Sequence, residues 1–463
     1  MRDRGIFAPF VPCVETRKSR RRCDHGHHYG AERHRLRPRV VHGTPVEDPA
    51  LKSYASNMVD HVLIVGAGQA AIHAAETLRR KGHAGRITLL GDEPDLPYQR
   101  PPLSKKYLAG DLERDRLLLR HRPYYDEHRI EVCLGTRAAQ IDRSSYTVRT
   151  ADGANFPYEV LVLATGSRPR RLPLPGTDLA GVHYLRDLRD TERLRAEIRP
   201  GAHAVVIGGG YIGLETAATL RHLGVEVTVL EMASRTMNRV VAETVSRFYE
   251  AEHARHGVSI ELDARITALA GDTHGHVRAV VGADGREWRA DLVVVGIGVL
   301  PNDELAQAAG LSCDNGIVVD EFCRTSDAAI YAIGDCSNHP SLHYGRRVRL
   351  ESVDNAVEQA NTTVANILGT PTRHDRVPWF WSDQYHHKML IVGLSQDHDR
   401  QVLRGRPEDA AFSVCYLRDG ELIAIDTVNQ ARDQMAARKL IAARMPPDPV
   451  KLADASLALK DCV

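Results

Sequence analysis

Short apolar runs and amphipathic segments alternate along the chain from about residue 60 onward. The run 62–65 consists of four apolar residues and predicts a buried strand. Apolar residues at helical spacing over 70–81 predict a helix, and the run 87–90 predicts a second strand. A strand–helix–strand unit of about thirty residues implies two parallel strands joined by a helical crossover.

The same unit recurs later in the chain. Residues 204–207 predict a strand, 211–223 a helix, and 225–230 another strand. The turns that follow the first strand of each unit begin at Gly66 and Gly208, which are 142 residues apart. Further strands, each leading into a glycine-containing turn, are predicted at 160–163 and 292–295. The repetition predicts two dinucleotide-binding domains.

The pattern changes after residue 371. Residues 377–428 contain short alternating strands, such as 412–417 and 422–428, and a helix is predicted around 433–444. We therefore predict an α/β protein with two Rossmann-like domains and a C-terminal α+β domain, the architecture of glutathione reductase. The predicted division is 58–167 and 290–372 for the first dinucleotide domain, 168–289 for the second, and 373–463 for the C-terminal domain.

Residues 1–57 show neither helical nor strand periodicity. They contain an arginine run at 20–22 and a histidine cluster at 25–28, but no apolar stretch of the length a secretory signal requires. A disordered or non-native extension is the favoured interpretation, because Met58 stands directly before the first predicted strand. An Arg-rich targeting peptide and a metal-binding histidine tract are the alternatives.

Charge and hydropathy exclude two classes of protein. No part of the 463-residue chain approaches the ~20 consecutive apolar residues of a membrane helix. Lys and Arg number 61 against 60 Asp and Glu, so the basic excess of a nucleic-acid binder is missing. The body of the chain is mildly acidic, because residues 1–57 carry 12 of the basic residues and only 6 of the acidic ones.

The cysteines favour a reducing compartment. All eight are scattered, none forms a CxxC pair, and none is spaced with histidines as in a zinc finger. Free thiols in a chain of this size are typical of a cytoplasmic protein without a bound metal.

The first glycine-rich turn carries a dinucleotide fingerprint. Gly66 permits the tight turn, Gly68 lets backbone N–H groups approach a pyrophosphate, and Ala71 allows close packing of helix on strand. Asp92, at the end of the next predicted strand, is suited to bind a ribose diol.

The second turn repeats the fingerprint with Gly208, Gly210 and Gly213. Glu231 ends the strand that follows. A carboxylate at this position favours the free 2′-hydroxyl of NADH over the 2′-phosphate of NADPH, although Arg235, four residues later, could soften that preference.

Two dinucleotide sites in one chain suggest one cofactor that remains bound and one coenzyme that binds and dissociates. A flavin accepts a hydride from a nicotinamide and releases electrons singly. Asp335 follows an apolar run and is placed to hold flavin ribityl hydroxyls; its alternative role is a helix N-cap.

From about residue 58 to about residue 460 the chain resembles the NADH-dependent ferredoxin reductases that serve cytochromes P450 and ring-hydroxylating dioxygenases. The motifs that carry the resemblance are RPPLSK at 100–105, ATG at 164–166, GGGYIGLE at 208–215, GIGVLPN at 296–302, GDC at 334–336, ESV at 351–353 and PWFWSD at 378–383.

The resemblance implies FAD as bound cofactor and NADH as co-substrate. The residues it assigns to FAD, together with the first fingerprint, are Gly66, Gly68, Ala70, Ala71, Asp92, Arg100, Lys105, Ala138, Arg186, Asp335 and Val353. Those assigned to NADH, together with the second fingerprint, are Gly208, Gly210, Ile212, Gly213, Glu231 and Gly298. Val353 is expected to precede a helix at 354–368, whose N-terminus would offset negative charge on the flavin.

The resemblance also implies four catalytic residues: Lys105, Glu215, Trp379 and Trp381. Lys105 is expected beside the flavin ring, with Glu215 as its ion-pair partner. The two tryptophans match positions near the nicotinamide and the ferredoxin-facing edge; packing in the third domain is the alternative. His386 and His387 are expected to be ordinary surface or core histidines.

Missing cysteines identify the electron acceptor as an outside molecule. Disulfide reductases of this architecture carry a CxxxxC pair after the first unit, whereas residues 97–108 contain no cysteine, Cys133 stands alone and Cys336 has no partner in sequence. A [2Fe–2S] ferredoxin fits this requirement. The alternatives are an NADH oxidase, a rubredoxin reductase or a nitrite-reductase component, or a redox-sensing protein resembling apoptosis-inducing factor.

Overall fold

The computed structural model describes residues 59–463. The expectations for residues 1–57 lie outside this part of the chain. Its first sheet has five parallel strands, and the central strand is the first in sequence, as the alternation of strand and helix predicts. Their order across the sheet is Ile330–Ala332, Val160–Leu163, His61–Val65, Arg86–Leu90 and Ile130–Cys133.

The second sheet repeats this arrangement. Its five parallel strands lie in the order Val182–Tyr184, Leu292–Val295, His203–Ile207, Glu226–Leu230 and Ser259–Glu261. The strand Leu292–Val295 pairs with His203–Ile207, so the boundary predicted between residues 289 and 290 is wrong for this strand, which belongs to the second sheet. Strand periodicity identifies a buried strand but does not say which of two similar sheets it joins.

The C-terminal region has a five-stranded antiparallel sheet. The strands lie in the order Trp379–Gln384, His387–Gly393, Glu421–Val428, Ala411–Arg418 and Arg400–Arg406. The helix Ala431–Ala443 packs on the central strands, and its fully buried Ala437 belongs to the core of this domain. This α+β unit and the two parallel sheets confirm the predicted fold class.

Helices cover the parallel sheets at their crossovers. The helices Gln69–Arg80 and Tyr211–His222 follow the two central strands directly, and their inward faces are alanine- and leucine-rich. The other α-helices are Lys106–Ala109, Arg122–Glu127, Leu188–Glu197, Glu243–Arg255, Glu304–Ala308, Val353–Ile367 and Pro449–Ala453. The smaller antiparallel sheets comprise Ala138–Asp142, Thr147–Thr150 and Asn155–Pro157; Ile266–Gly271, Val277–Gly282 and Glu287–Arg289; and Ser337–Ser341 with Arg346–Val348 and the parallel strand Ile317–Val318.

A short antiparallel ribbon connects the first and second sheets. The chain enters the second through Ser167–Pro169 and leaves it through Val299–Pro301, and these two strands pair with each other. Among residues 59–463, none of the helices has both the length and the apolar character needed to cross a bilayer.

Candidate functional site

A cavity of about 490 Å³ lies where the first glycine-rich turn, the helix Tyr211–His222 and the strand Trp379–Gln384 meet. Its size is within the usual range of cofactor pockets. The predicted site residues that line it are Gly66, Gly68, Ala70, Asp92, Arg100, Lys105, Arg186, Ile212, Glu215, Asp335, Val353 and Trp381.

The remaining predicted residues lie outside the lining of this cavity. They are Ala71, Ala138, Trp379, Gly208, Gly210, Gly213, Glu231 and Gly298. Ala71 is fully buried against the sheet, which agrees with a packing role. The second turn is connected to the cavity through its helix, because Ile212 and Glu215 of that helix reach the lining.

The first turn is built to receive an anion. Gly66 has φ +122°, and a Cβ there would lie 2.1 Å from the carbonyl oxygen of Ala164, so only glycine fits. The helix Gln69–Arg80 begins after Gly68 with no side chain capping its first N–H groups. Uncapped N–H groups at the positive end of a helix fit a pyrophosphate.

Asp335 faces the same cavity from the second part of the first sheet. Its carboxylate accepts hydrogen bonds from Ser167 Oγ at 2.7 Å and Arg186 Nη2 at 3.2 Å. A Cβ at Gly334 would lie 3.2 Å from Ala70 Cβ, so this acidic turn packs directly against the start of the first helix. A carboxylate has further lone pairs, so Asp335 can still accept hydrogen bonds from ribityl hydroxyls.

The helix Val353–Ile367 begins one residue earlier than predicted. Ser352 caps it by accepting a hydrogen bond from the Asn355 N–H at 3.1 Å, and Val353 lines the cavity at its first turn. The positive end of this helix dipole therefore faces the cavity, as a cofactor that gains negative charge requires.

Arg100 is not a free cation. It forms an ion pair with Glu93 and donates a hydrogen bond to the Arg186 carbonyl oxygen at 2.9 Å. Burial raises the pKa of Glu93, but Arg100 and the Tyr98 hydroxyl outweigh this effect and the net shift is downward. Glu93 and Tyr98 were not identified from the sequence, and their role is to hold Arg100 against the segment that carries Arg186.

The second turn repeats the close glycine packing of the first. A Cβ at Gly208 would lie 2.4 Å from the Gly296 carbonyl oxygen, and a Cβ at Gly213 would lie 2.0 Å from the Gly208 carbonyl oxygen. The helix after Gly210 has no side-chain cap.

Glu231 is held by backbone donors. Its two carboxylate oxygens accept hydrogen bonds from the N–H groups of Gly209, at 2.7 Å, and Ala233, at 2.8 Å. Arg235 donates instead to the carbonyl oxygens of Val241 and Asn238, both at 2.9 Å. The guanidinium is thus occupied within its own loop.

Lys105 and Glu215 meet at the inner wall of the cavity. Lys105 Nζ lies 2.6 Å from Glu215 Oε2, and the Glu215 side chain is 1% exposed. Ser104 Oγ donates to the same carboxylate oxygen at 2.8 Å, and Ser382 Oγ donates to Oε1 at 2.7 Å. Three parts of the chain, far apart in sequence, thus meet at one carboxylate.

The two tryptophans occupy different places on one strand. Trp381 lines the cavity, whereas Trp379 packs against the core of the C-terminal domain, with the Arg438 guanidinium 5.8 Å above its ring centroid. Their ring centroids are 5.6 Å apart. Geometry therefore favours a site role for Trp381 and a packing role for Trp379.

Gln359 was not identified from the sequence. It lies in the helix Val353–Ile367, is fully buried, and accepts hydrogen bonds from the Gly334 N–H at 2.7 Å and Ser337 Oγ at 2.8 Å. It braces the turn that presents Asp335. Only the spacing of a polar residue on the buried face of a helix could have signalled it.

Thiol chemistry is not supported by the six cysteines within residues 59–463, all of which are free. Cys336 is fully buried, and burial raises the pKa of its thiol. A thiol held protonated is a poor nucleophile.

Glu252, His386 and His387 are close enough together to suggest metal ligands. His387 is buried and His386 is exposed. His387 Nδ1, however, faces the amide nitrogen of Asn429 at 3.1 Å, and Asn429 is fixed in that orientation by its own bonds to backbone. Since Nδ1 must accept, the ring proton lies on Nε2 and points towards Glu252, 3.2 Å away. Glu252 also pairs with Arg255 at 2.7 Å, so its carboxylate already has a cationic partner within the chain.

Comparisons with known proteins agree with this geometry. The family described as pyridine nucleotide-disulphide oxidoreductase matches residues 60–360, and the reductase C-terminal family matches residues 379–463. The chain is 45% identical to rhodocoxin reductase of Rhodococcus erythropolis, covering 86% of this chain and 93% of that protein. It is 40% identical to a rubredoxin-NAD(+) reductase of Pseudomonas putida, covering 81% of this chain and 97% of that protein.

A solved structure gives the same result. The reductase in the crystal structure of a covalent putidaredoxin reductase–putidaredoxin complex matches with a TM-score of 0.85 at 43% identity, covering 88% of this chain and 98% of that chain. The two family matches, the fold and the relatives of this chain show that it belongs to the FAD-dependent NADH:ferredoxin reductases of the pyridine nucleotide-disulphide oxidoreductase family.

Proposed function

We propose that this chain passes a hydride from NADH to bound FAD and then delivers single electrons to a [2Fe–2S] ferredoxin that feeds a cytochrome P450 or a ring-hydroxylating dioxygenase. The observation that carries the proposal is the Lys105–Glu215 pair, 2.6 Å long, in the cavity wall where the two dinucleotide-binding units meet. A cation held at this place by a buried carboxylate stabilises negative charge that develops on a bound ring system.

The chain's own residues bind and orient, and none has to act as a general acid or base. The uncapped first turn after Gly68 and the carboxylate of Asp335 are the proposed contacts of FAD with this domain. The second uncapped turn and Glu231 are the proposed contacts of NADH. Lys105 supplies the positive charge between them.

The direct test is steady-state NADH oxidation with a panel of purified [2Fe–2S] ferredoxins, with a rubredoxin and oxygen alone as rival acceptors. We expect at least one ferredoxin to raise NADH oxidation well above the oxygen-only rate. Peroxide production at the same rate without ferredoxin would favour an NADH oxidase, and faster turnover with rubredoxin would favour a rubredoxin reductase. The rubredoxin arm is included because a relative 40% identical to this chain carries that name.

A pair of variants separates hydride entry from electron exit. Lys105→Ala should slow bleaching of the bound FAD by NADH in stopped flow, so that ferredoxin and a small artificial acceptor are both reduced slowly. Trp381→Ala should leave bleaching unchanged and slow only ferredoxin reduction. Normal bleaching in Lys105→Ala would contradict the role given to this lysine.

The alternative for Trp381 is packing, and it makes a different prediction. Both tryptophans are half-buried, so their loss would cost at most the ~3–5 kcal/mol in free energy of unfolding that removal of a fully buried tryptophan costs. In that case both activities would fall together with the folded fraction. Trp379→Ala is the matched control, since Trp379 packs in the C-terminal core and should behave in this way.

We propose a cytoplasmic location. The six free cysteines within residues 59–463 support it, because such thiols persist in a reducing compartment. Fractionation of the native host, with activity recovered in the cytosolic extract, is the test.

A further inference from the structure

Glu215 is the end point of a hydrogen-bond chain that leads away from the cavity. Its Oε2 atom is used by Lys105 and Ser104, and its Oε1 atom accepts from Ser382 Oγ at 2.7 Å. Beyond Ser382 the chain continues to Gln384 at 3.3 Å and His253 at 2.9 Å, and ends at the Tyr385 hydroxyl, 2.9 Å from His253.

The acceptor at one end fixes the direction of every bond. An ionised carboxylate only accepts, so the single proton of Ser382 is committed to Glu215. Ser382 Oγ must then accept from the Gln384 amide nitrogen, which leaves Gln384 Oε1 to accept from His253. His253 therefore carries its proton on Nε2 and accepts from the Tyr385 hydroxyl on Nδ1.

Burial keeps this order intact. Ser382, Gln384 and His253 are all fully buried, so water does not compete for these bonds. Burial also lowers the pKa of His253 to about 4, so its ring is neutral near pH 7 and retains an accepting nitrogen. Hydrogen bonds that all point the same way polarise one another, and this chain ends on a negative charge.

We propose that Ser382, Gln384, His253 and Tyr385 are positioning residues that hold the Glu215 carboxylate aimed at Lys105, and so fix the place of the Lys105 charge beside the bound cofactor. The proposal rests on the proposed function for its meaning in turnover. It assigns to the C-terminal strand Trp379–Gln384 a part in hydride entry, separate from the electron-exit role proposed for Trp381 on the opposite face of the same strand.

The test is a double-mutant cycle of Ser382→Ala with Glu215→Gln in the holoenzyme. Ser382→Ala should slow bleaching of FAD by NADH by roughly tenfold, the lower end of what loss of a hydrogen bond to a charged group produces. In the Glu215→Gln background the same substitution should change the rate less than about twofold, because the carboxylate it serves is gone.

A second readout needs neither NADH nor ferredoxin. The midpoint potential of bound FAD, titrated with dithionite, should shift downward in Ser382→Ala, since a displaced carboxylate no longer holds Lys105 where it stabilises the negative charge of the reduced cofactor. Glu215→Gln should shift it further in the same direction, with no additional shift in the double variant. If NADH fails to bleach the unsubstituted enzyme, the proposed function fails, and this titration still decides the positioning role.

Three further variants guard against a merely structural effect. Ser413→Ala is the matched control, because Ser413 is also fully buried in the C-terminal sheet and donates to a carboxylate, that of Asp433, at 2.9 Å. It should leave rate and potential unchanged. Ser382→Thr keeps the hydroxyl and should restore both, and Gln384→Met, which breaks the chain one step farther out, should show the same shifts at smaller size. Equal losses in the Ser382→Ala and Ser413→Ala variants, or an undiminished effect in the Glu215→Gln background, would overturn the proposal.

Discussion

The two glycine-rich turns are built on one plan but differ in how complete they are. In each, the first glycine packs against the carbonyl oxygen of the residue that follows a neighbouring parallel strand. This residue is Ala164, after the strand Val160–Leu163, in the first turn and Gly296, after the strand Leu292–Val295, in the second. In the first, Asp92 is exposed and makes no hydrogen bond or ion pair with any of residues 59–463. In the second, Glu231 is fixed by two backbone N–H groups.

The difference matches the two proposed ligands. A cofactor that remains bound can order the side chains of its site itself, because the conformational entropy of those side chains is lost only once. A coenzyme that binds and leaves in every turnover gains from a carboxylate that is already oriented, since less conformational freedom is lost on each binding. The four predictions that follow test this contrast, from the largest expected effect to the smallest.

Gly66→Ala should have the largest effect. The new methyl group would lie 2.1 Å from a backbone oxygen at φ +122°, so the first turn cannot keep its shape. We expect a loss of roughly 3–5 kcal/mol in the free energy of unfolding, the upper range for single substitutions. Gly68→Ala is the control, because no atom lies within 4 Å of its Cβ; it should keep its stability and lose only FAD affinity. Chemical denaturation and the ratio of flavin to protein absorbance measure the two effects.

The third motif position should respond differently in the two turns. Gly213→Ala places a methyl group 2.0 Å from the Gly208 carbonyl oxygen, so we expect KM for NADH to rise by about a hundredfold, equivalent to ~2.7 kcal/mol. Ala71→Gly in the first turn removes only one buried methyl and should cost about 1 kcal/mol of stability, with FAD content unchanged. An unaltered KM in Gly213→Ala would show that the two turns are equally tolerant.

The hydrogen bond between the Gly334 N–H and Gln359, which supports the first site, should also have a measurable effect. Gln359→Leu leaves the buried Gly334 N–H without its acceptor, which costs about 1–3 kcal/mol. Because that turn presents Asp335, FAD should dissociate faster in dilute solution, which its recovered fluorescence reports. Gln359→Glu keeps an acceptor oxygen for Gly334 and should lose less FAD than the leucine variant.

Substitution of the carboxylates that end the two second strands, Asp92 and Glu231, should have the smallest effects. Glu231 is expected to give NADH a roughly tenfold to hundredfold advantage over NADPH in kcat/KM, the range of a good bond to a charged group. Glu231→Ala should shrink that advantage and, by leaving the Gly209 and Ala233 N–H groups unpaired, lower the stability slightly. Asp92→Ala should leave stability unchanged within about 0.5 kcal/mol. Equal use of both coenzymes by the unsubstituted enzyme would remove the assignment of Glu231.

Much of the fold could be predicted from periodicity, because both parallel sheets are buried on their two faces. The strand predicted at 62–65 is His61–Val65, and that predicted at 292–295 has the same bounds. The sheet to which Leu292–Val295 belongs could not be predicted, since its apolar pattern suits either sheet equally. Local signals also located both turns, because a glycine between strand and helix has a specific steric cause.

The contacts at the centre of the site could not be predicted from local sequence signals. Lys105 and Glu215 were suggested by family resemblance, whereas nothing local connects them across 110 residues. Ser104 and Ser382 look like ordinary serines in sequence, and their hydrogen bonds to Glu215 form only when segments far apart in the chain fold together. Tyr98, Glu93 and Gln359 act on other site residues, so they carry no motif of their own.

The paired strands Ser167–Pro169 and Val299–Pro301 have an evolutionary consequence. They bring the beginning and the end of the second dinucleotide unit side by side, and the Arg170 N–H donates to the Gly298 carbonyl oxygen at 2.9 Å. A unit whose ends meet can be inserted into, or exchanged within, a host domain without stretching either chain. Exchange of this unit is therefore limited by its contacts rather than by its ends: a replacement segment must keep a carboxylate at the position of Glu215, which contacts Lys105 and Ser382 outside the unit.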